Sequence, residues 1–479
     1  MLRRAPATVL SLLRDLIRVD LREQGQLLRF TLRWVLLGTV VGVLAGASSS
    51  VFLYGLQVVT EARVDTPRLL FGPPLGGLVV GLLYHHLGDR SAAGNNLILD
   101  EIHGLAPGMN GQGVSHDLGP DPDLGPDPDV GSGHRYVPRR LAPLVLLGTW
   151  VTHLFGGSAG REGTAIQMSG SLTDLFSRLV RLRPPDRRLL LVAAVSGGFA
   201  AVFGVPMAGF VFGLEVRSLG RVRYDALVPA LTAALVGNLV FQRLDLPHDV
   251  TPAHELAPVA LDAVLLGKVA VAALVFGLAS MLFSELTDGI KRAFVALVAY
   301  PPMRPFVGGL LVVGLALLVG GDEYLGLSLP LIDASLTGAE IVWYAFALKL
   351  LFTALTLGAG FQGGEVTPLF VIGASLGAAL AGPLDVPVEL LASIGFVAVF
   401  AAATNTPLAC TIMGIELFGT GGLAYLAVGC VVAYVFSAHR GIYGAQRIDT
   451  PKAPLGGDPS GSALRDIGNR HPRRESPPD

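Results

Sequence analysis

Charge is the first thing this 479-residue chain has little of. Asp, Glu, Lys and Arg make up 15% of it, and 35 basic against 37 acidic residues leave a formal net charge of −2. A nucleic-acid footprint needs a surplus of cations gathered on one face, so that class of partner is excluded. Cysteine is scarcer still. Cys410 and Cys430 lie inside apolar runs without metal-ligand spacing, and they read as small core residues. The chain has no HExxH and no paired Cys/His spacing, so neither a metal nor a cofactor is expected. The first thirty residues mix Arg14, Asp15, Arg18, Asp20, Arg22 and Glu23 with leucines, and so lack the uninterrupted apolar core of a signal peptide. Long apolar runs are also few. Trp34 to Leu53 reaches the roughly 18 to 20 residues that span hydrocarbon, whereas Val269 to Phe283, Phe306 to Val319 and Leu391 to Ala403 are shorter.

What is abundant is apolar surface and backbone freedom. Hydrophobic residues make up 51% of the chain, and a mean hydropathy of +0.58 is far above that of a water-soluble domain. The chain is therefore an all-α, multi-pass protein of the cell membrane. Its 61 glycines and 32 prolines suit closely packed helices that break inside the bilayer. Irregular backbone at that depth is tolerated only when buried in protein or facing water, so the short apolar pieces predict tilted, re-entrant or broken helices.

Four regions are expected. Residues 1–30 read as a cytoplasmic amphipathic helix at the membrane surface. Residues 31–446 form the transmembrane domain, in two repeats of about 31–243 and 259–446. A polar insertion at 105–140 carries the tandem run DLGPDPDLGPDPD (117–129) and reads as disordered; it lacks the Gly and terminal Glu of an EF-hand loop, against calcium binding. The Pro-, Gly- and charge-rich tail, 447–479, reads as a disordered cytoplasmic extension. Lys and Arg cluster at 3–33, 178–188, 217–223, 291–304 and in the tail, which places both termini in the cytoplasm.

The internal repeat is the strongest organisational signal. GREGT (160–164) is answered by GGEVT (363–367), each after a glycine-rich approach, and VPMAGFVFGLE (205–215) by TPLACTIMGIE (406–416). Pro206 pairs with Pro407, Ala208 with Ala409, Gly213 with Gly414 and Glu215 with Glu416. From glutamate to proline is 44 residues in the first copy (162 to 206) and 42 in the second (365 to 407). Matched halves with broken helices are the mark of a secondary transporter whose site lies between the repeats near the midplane, the copies being parallel or inverted.

Glu162 stands where an apolar helix begins. Such an end gathers unpaired N–H groups and the positive end of the helix dipole, which makes it an anion site. A carboxylate there can act as a tethered anion that leaves when protonated, coupling proton to anion; alternatively it only caps the helix or pairs with an arginine. Gly160, Arg161, Gly163 and Thr164 around it, and Val366 and Thr367 in the second copy, are the candidate anion-binding positions. Glu365 brings a second carboxylate to the same depth, with capping of its own helix as the alternative.

GREG before a helix, the GGEVTP box and GVPMAGFVFGLE resemble the signature elements of CLC chloride channels and antiporters, over about Leu36 to Gln446. The resemblance implies an inverted-repeat fold of many tilted helices, one anion path per subunit, a homodimer, and Glu162 as the gating glutamate. Departures from the chloride pattern are specific. Where chloride members have GSGIP with an anion-holding serine, this chain has Gly94, Asn95, Asn96, Leu97, Ile98. Thr164 replaces the proline after GREG, and the second box lacks its phenylalanine. GREGT with GGEVTP resembles the fluoride/proton antiporter branch, in which Glu365 and Thr367 are implicated in the proton and anion path. An amide at Asn95 or Asn96 offers two donors to a strongly hydrated ion, where a hydroxyl offers one; a turn or a helix cap would also suit either Asn.

Two further positions follow from the resemblance. Val216 stands where chloride antiporters carry an inner proton-transfer glutamate, and Tyr443 stands where the family's inner tyrosine points at the anion; a tyrosine at a membrane boundary is otherwise an interfacial anchor. Glu215 and Glu416 read as structural anchors or arginine partners. The expected function is fluoride export coupled to protons, with a chloride channel or chloride/proton antiporter as the alternative. An intramembrane enzyme using Glu162, His153 and Glu365 has no motif behind it, and a scaffold would leave the buried carboxylates unexplained.

Overall fold

A computed structural model describes residues 21–103, 136–222, 224–248, 252–453 and 459–467. The chain is an assembly of helices. In the first half these are α1 (Leu21–Asp65), α2 (Pro73–Leu87), α3 (Asn95–His103), α4 (Leu141–Leu154), α5 (Glu162–Leu179), α6 (Pro184–Phe203), α7 (Pro206–Glu215) and α8 (Leu227–Leu244), with the two-residue strand β1 (Ser218–Leu219) between α7 and α8. The second half has α9 (Ala263–Leu297), α10 (Met303–Val319), α11 (Leu329–Thr337), α12 (Ala345–Gly358), α13 (Val366–Leu384), α14 (Val388–Thr404), α15 (Pro407–Phe418) and α16 (Leu423–Phe436), then β2 (Arg447–Ile448) and the single turn α17 (Leu464–Ile467). Among the described residues four helical segments, coinciding with α1, α8, α9 and α13, are long and apolar enough to cross a membrane. The other apolar helices are shorter, as expected of broken spans.

Small residues let these helices approach closely. Gly38, Gly42 and Gly46 form an i, i+4 stripe on α1, and a methyl group on them would lie 2.9, 2.9 and 2.5 Å from the carbonyl oxygens of Pro229, Ala233 and Gly237 on α8. In the second half Gly373 of α13 and Gly395 of α14 meet in the same way, each methyl position 2.1 Å from the other's carbonyl oxygen. Between the halves lies an aromatic core. Phe199 stacks on Phe212 at 4.2 Å and Phe370 on Phe396 at 4.0 Å, with Phe400 bridging the two pairs.

The repeats are inverted, and two hydrogen-bonded clamps make the relation visible. Glu215, at the C-terminal end of α7, accepts the backbone N–H groups of Leu408 (3.1 Å) and Ala409 (2.8 Å) at the start of α15. Glu416 of α15 accepts those of Met207 (3.0 Å) and Ala208 (2.8 Å) at the start of α7. Each carboxylate thus caps the opposite helix, so the two helices run antiparallel about a local two-fold axis. Of the two roles open to these glutamates, anchoring is the one realised, through backbone donors and not through arginine.

Three boundaries differ from expectation. Residues 21–30 are the first turns of the 45-residue α1, while 1–20 lie outside the described residues. Of the polar insertion, 104–135, including the 117–129 run, also lie outside them. Its last residues are docked: the Tyr136 ring packs under the guanidinium groups of Arg178 and Arg187, and the Val137 N–H donates to Asp174 at 3.0 Å. The tail expected to be unstructured is ordered over 447–453 and 459–467. β2 pairs in parallel with β1, Ile448 and Leu464 are buried, and Arg465 forks onto Asp100 with two 3.1 Å bonds. Composition misleads here because a few buried side chains and a strand pairing outweigh many loop-forming residues.

Candidate functional site

The two glycine-rich loops that lead into α5 and α13 are joined to each other. Gly160 and Gly364 exchange backbone hydrogen bonds of 2.6 and 2.8 Å, an isolated antiparallel bridge between the repeats. That bridge brings the N-termini of α5 and α13 together around one carboxylate. Glu162 is completely buried. Its Oε2 accepts the N–H of Thr367 at 3.0 Å and of Arg161 at 3.1 Å, and its Oε1 accepts the Thr367 hydroxyl. The Arg161 guanidinium, also buried, lies 3.6 Å from Oε1. A single carboxylate therefore occupies donors from both halves of the molecule.

Asn95 and Asn96 have different surroundings. The Asn96 Oδ1 accepts the Ala445 N–H at 2.9 Å and ties α3 to the segment that carries Tyr443. Asn95 faces the junction instead: a methyl on Gly163 would stand 2.8 Å from Asn95 Nδ2 and 3.8 Å from Glu365 Oε2. Gly163 is thus the close approach at which Asn95, Glu365 and the α5 N-terminus meet, and a side chain there would fill the space between them. The Asn95 Oδ1 is buried without a hydrogen-bond partner.

The remaining expected positions differ in their surroundings. The Tyr443 hydroxyl is buried without a hydrogen-bond partner, within electrostatic reach of Glu365 and Glu162, so the residue is no interfacial anchor. Val366 and Thr367 are fully buried at the start of α13. Thr164 is less free, because its hydroxyl is paired with that of Thr149 at 2.8 Å. Val216 is buried and carries no titratable group. His153 has a carbonyl oxygen near each ring nitrogen, Thr149 O at 3.0 Å and Ala159 O at 3.2 Å, which locks it as a brace for the loop before Glu162. Ser158 adds a second brace through Thr353 (2.9 Å) and Thr356 (3.2 Å) of α12.

One residue of the junction escaped the sequence reading. Gln167, on α5 and nearly buried, has an Oε1 without a hydrogen-bond partner, and its Nε2 lies 3.3 Å from where a methyl on Gly94 would stand. Gly94 has φ +56, so the turn into α3 uses glycine's left-handed freedom at this contact. A lone amide inside an otherwise small and apolar helix face was the available signal.

The arrangement resembles known proteins along most of its length. The family described as Voltage gated chloride channel matches residues 129–438. A chloride/fluoride channel protein of Pseudomonas syringae pv. tomato is 43% identical over 462 residues, 95% of each chain. An H(+)/Cl(-) exchange transporter ClcA of Vibrio vulnificus is 27% identical over 399 residues, 80% of this chain and 81% of that protein. Among solved structures, a CLC-type fluoride/proton antiporter superposes with a TM-score of 0.77 at 35% identity, covering 87% of this chain and 98% of that one. A slow cyanobacterial Cl-/H+ antiporter, at 19% identity and a TM-score of 0.68 over 85% and 94% of the two chains, shares the fold. Match length, identity and superposition agree with the inverted clamps and the bridged glycine loops: this chain belongs to the voltage-gated chloride channel family, the CLC membrane proteins.

Proposed function

We propose that the protein exports fluoride in exchange for protons, with Glu162 as the gate. The observation that carries this reading is the Glu162 carboxylate seated on the N-terminal donors of both repeats. Ionised, it competes with a mobile anion for those donors. Protonated, it no longer matches them and gives the place up, so each anion passage is tied to a protonation cycle. Asn95, and not Asn96, then supplies the amide donor to the dehydrating anion, because the Asn95 Nδ2 faces Gly163 while the Asn96 side chain is turned to Ala445, whose N–H its Oδ1 accepts. Glu365, Thr367 and Tyr443 complete the inner side of the path. The fluoride assignment is supported by the relative named as a chloride/fluoride channel protein and by the CLC-type fluoride/proton antiporter structure.

The same reading places both termini in the cytoplasm and makes the protein a homodimer. The exposed apolar residues Leu235, Leu239, Leu408, Val431 and Val435 lie on α8, α15 and α16, which α7 links by packing on α8 and on α15 while α15 packs on α16, a face suited to a second copy. The deciding experiment is flux from liposomes loaded with fluoride or chloride in parallel, with a pH-sensitive dye inside. Fluoride should leave clearly faster than chloride and carry protons inward. Equal rates for the two anions would refute the fluoride assignment.

A further inference from the structure

α3 lies along one face of α5, and its contacts there follow the helix period. A methyl on Gly163 would meet Asn95 Nδ2 at 2.8 Å, a methyl on Gly94 would meet Gln167 Nε2 at 3.3 Å, and a methyl on Gly170 would meet Ile98 Cδ1 at 2.8 Å. Positions 163, 167 and 170 are spaced i, i+4, i+7 and so share one face of α5. The turn into α3 therefore sets two primary amides along the same seam, Asn95 from α3 and Gln167 from α5, about one helical turn apart.

Neither amide is satisfied by protein. Asn95 Oδ1 and Gln167 Oε1 are both buried without a hydrogen-bond partner, and among the described residues neither NH₂ group has an acceptor. Gln167 keeps only 5% of its surface and stands between the buried Ile166 and Met168. Leucine or methionine would fill the same volume without an unmet polar group, so an amide here costs stability unless something completes it. The nearby polar side chains do not: Asn96 is turned to Ala445, and Thr164 is paired with Thr149.

Resting on the reading that Asn95 is an amide donor to the anion, we propose that Gln167 is a second, selectivity-determining ligand and that the two amides hold the anion while it is still partly hydrated. Each NH₂ group donates to the ion, and each orphaned oxygen accepts a hydrogen from a water that the ion brings with it. The complex thus satisfies what the protein leaves open at both side chains. Fluoride is small and holds its water tightly, whereas chloride sheds it readily, so donors and acceptors set side by side favour fluoride.

The test compares Gln167→Met, Gln167→Leu and Asn95→Ala in liposomes, recording fluoride and chloride efflux in parallel and checking each fold by its thermal midpoint in detergent. In Gln167→Met and Gln167→Leu the ratio of fluoride to chloride rates should fall by about ten-fold, the effect of one hydrogen bond to a charged group. Their midpoints should equal or exceed that of the wild type, because an unmet buried polar group has been removed. A wild-type ratio in both Gln167 variants beside a lowered ratio in Asn95→Ala would overturn the assignment of Gln167 alone. A wild-type ratio in all three would overturn the Asn95 reading and this inference with it. A lowered ratio accompanied by lowered midpoints in both Gln167 variants would also overturn it, because it would mark a structural role.

Discussion

Replacing Glu215 by alanine removes the acceptor from two backbone N–H groups, those of Leu408 and Ala409, which lie at 3.1 and 2.8 Å from the carboxylate at the start of α15. Neither amide has an intrahelical partner at that position; Glu215 and Ala409 are buried, and the Leu408 amide is part-buried. Leaving one such donor unsatisfied costs about 1–3 kcal/mol, so the pair should cost about 2–6 kcal/mol. Glu215→Gln keeps one acceptor oxygen and turns an NH₂ toward the second amide, so roughly half of that loss is expected. Glu416 makes the same two bonds to α7, at 3.0 and 2.8 Å, but it is more exposed and water can replace it in part. The expected order of thermal midpoints in detergent is therefore wild type, then Glu416→Ala and Glu215→Gln, then Glu215→Ala. Because neither clamp touches the anion path, Glu215→Gln that remains folded should still exchange fluoride for protons. A Glu215→Ala midpoint equal to that of the wild type would refute the clamp argument, and loss of coupling in a fully stable Glu215→Gln would show that Glu215 belongs to the proton path.

The two asparagines separate by assay. Asn95→Ala should lower fluoride selectivity over chloride, while Asn96→Ala, which frees the Ala445 amide at a cost of about 1–3 kcal/mol, should lower stability and leave selectivity in place; ion-selective electrodes and thermal melts distinguish them. Burial pushes the Lys452 ammonium in the tail down to about 7 from its ordinary 10.5, although its Nζ donates to Tyr434 O and Ser437 Oγ. The folded tail thus binds fewer protons than the undocked one between about pH 7 and 10.5, so docking should strengthen as pH rises through that window. Limited proteolysis of the tail against pH should show this, and Lys452→Met should flatten the profile.

Much of the architecture was legible because its signals are local. Matched Pro, Ala, Gly and Glu in VPMAGFVFGLE and TPLACTIMGIE gave the repeat, and a carboxylate before an apolar helix pointed to Glu162. What was not legible depends on partners far away in the chain. The donors that hold Glu215 are backbone amides more than 190 residues on, and backbone amides carry no sequence signature. Asn95 and Asn96 are neighbours with identical side chains, and only the helix start that turns one toward Gly163 and the other toward Ala445 tells them apart. The tail was misread because Gly and Pro dominate its composition while its order rests on Ile448, Leu464 and Arg465.

The most direct measurement of the central claim is proton movement in liposomes containing Glu162→Gln under an outward fluoride gradient. The glutamine keeps the shape of the gate and can sit among the Thr367 and Arg161 donors, but it cannot ionise, so it neither competes as an anion nor carries a proton. The account predicts no fluoride-driven proton uptake, with fluoride flux itself slowed if release of the gate requires protonation. Glu162→Gln vesicles that still acidify against a proton gradient at the wild-type rate would contradict the gate and leave only the fold in place.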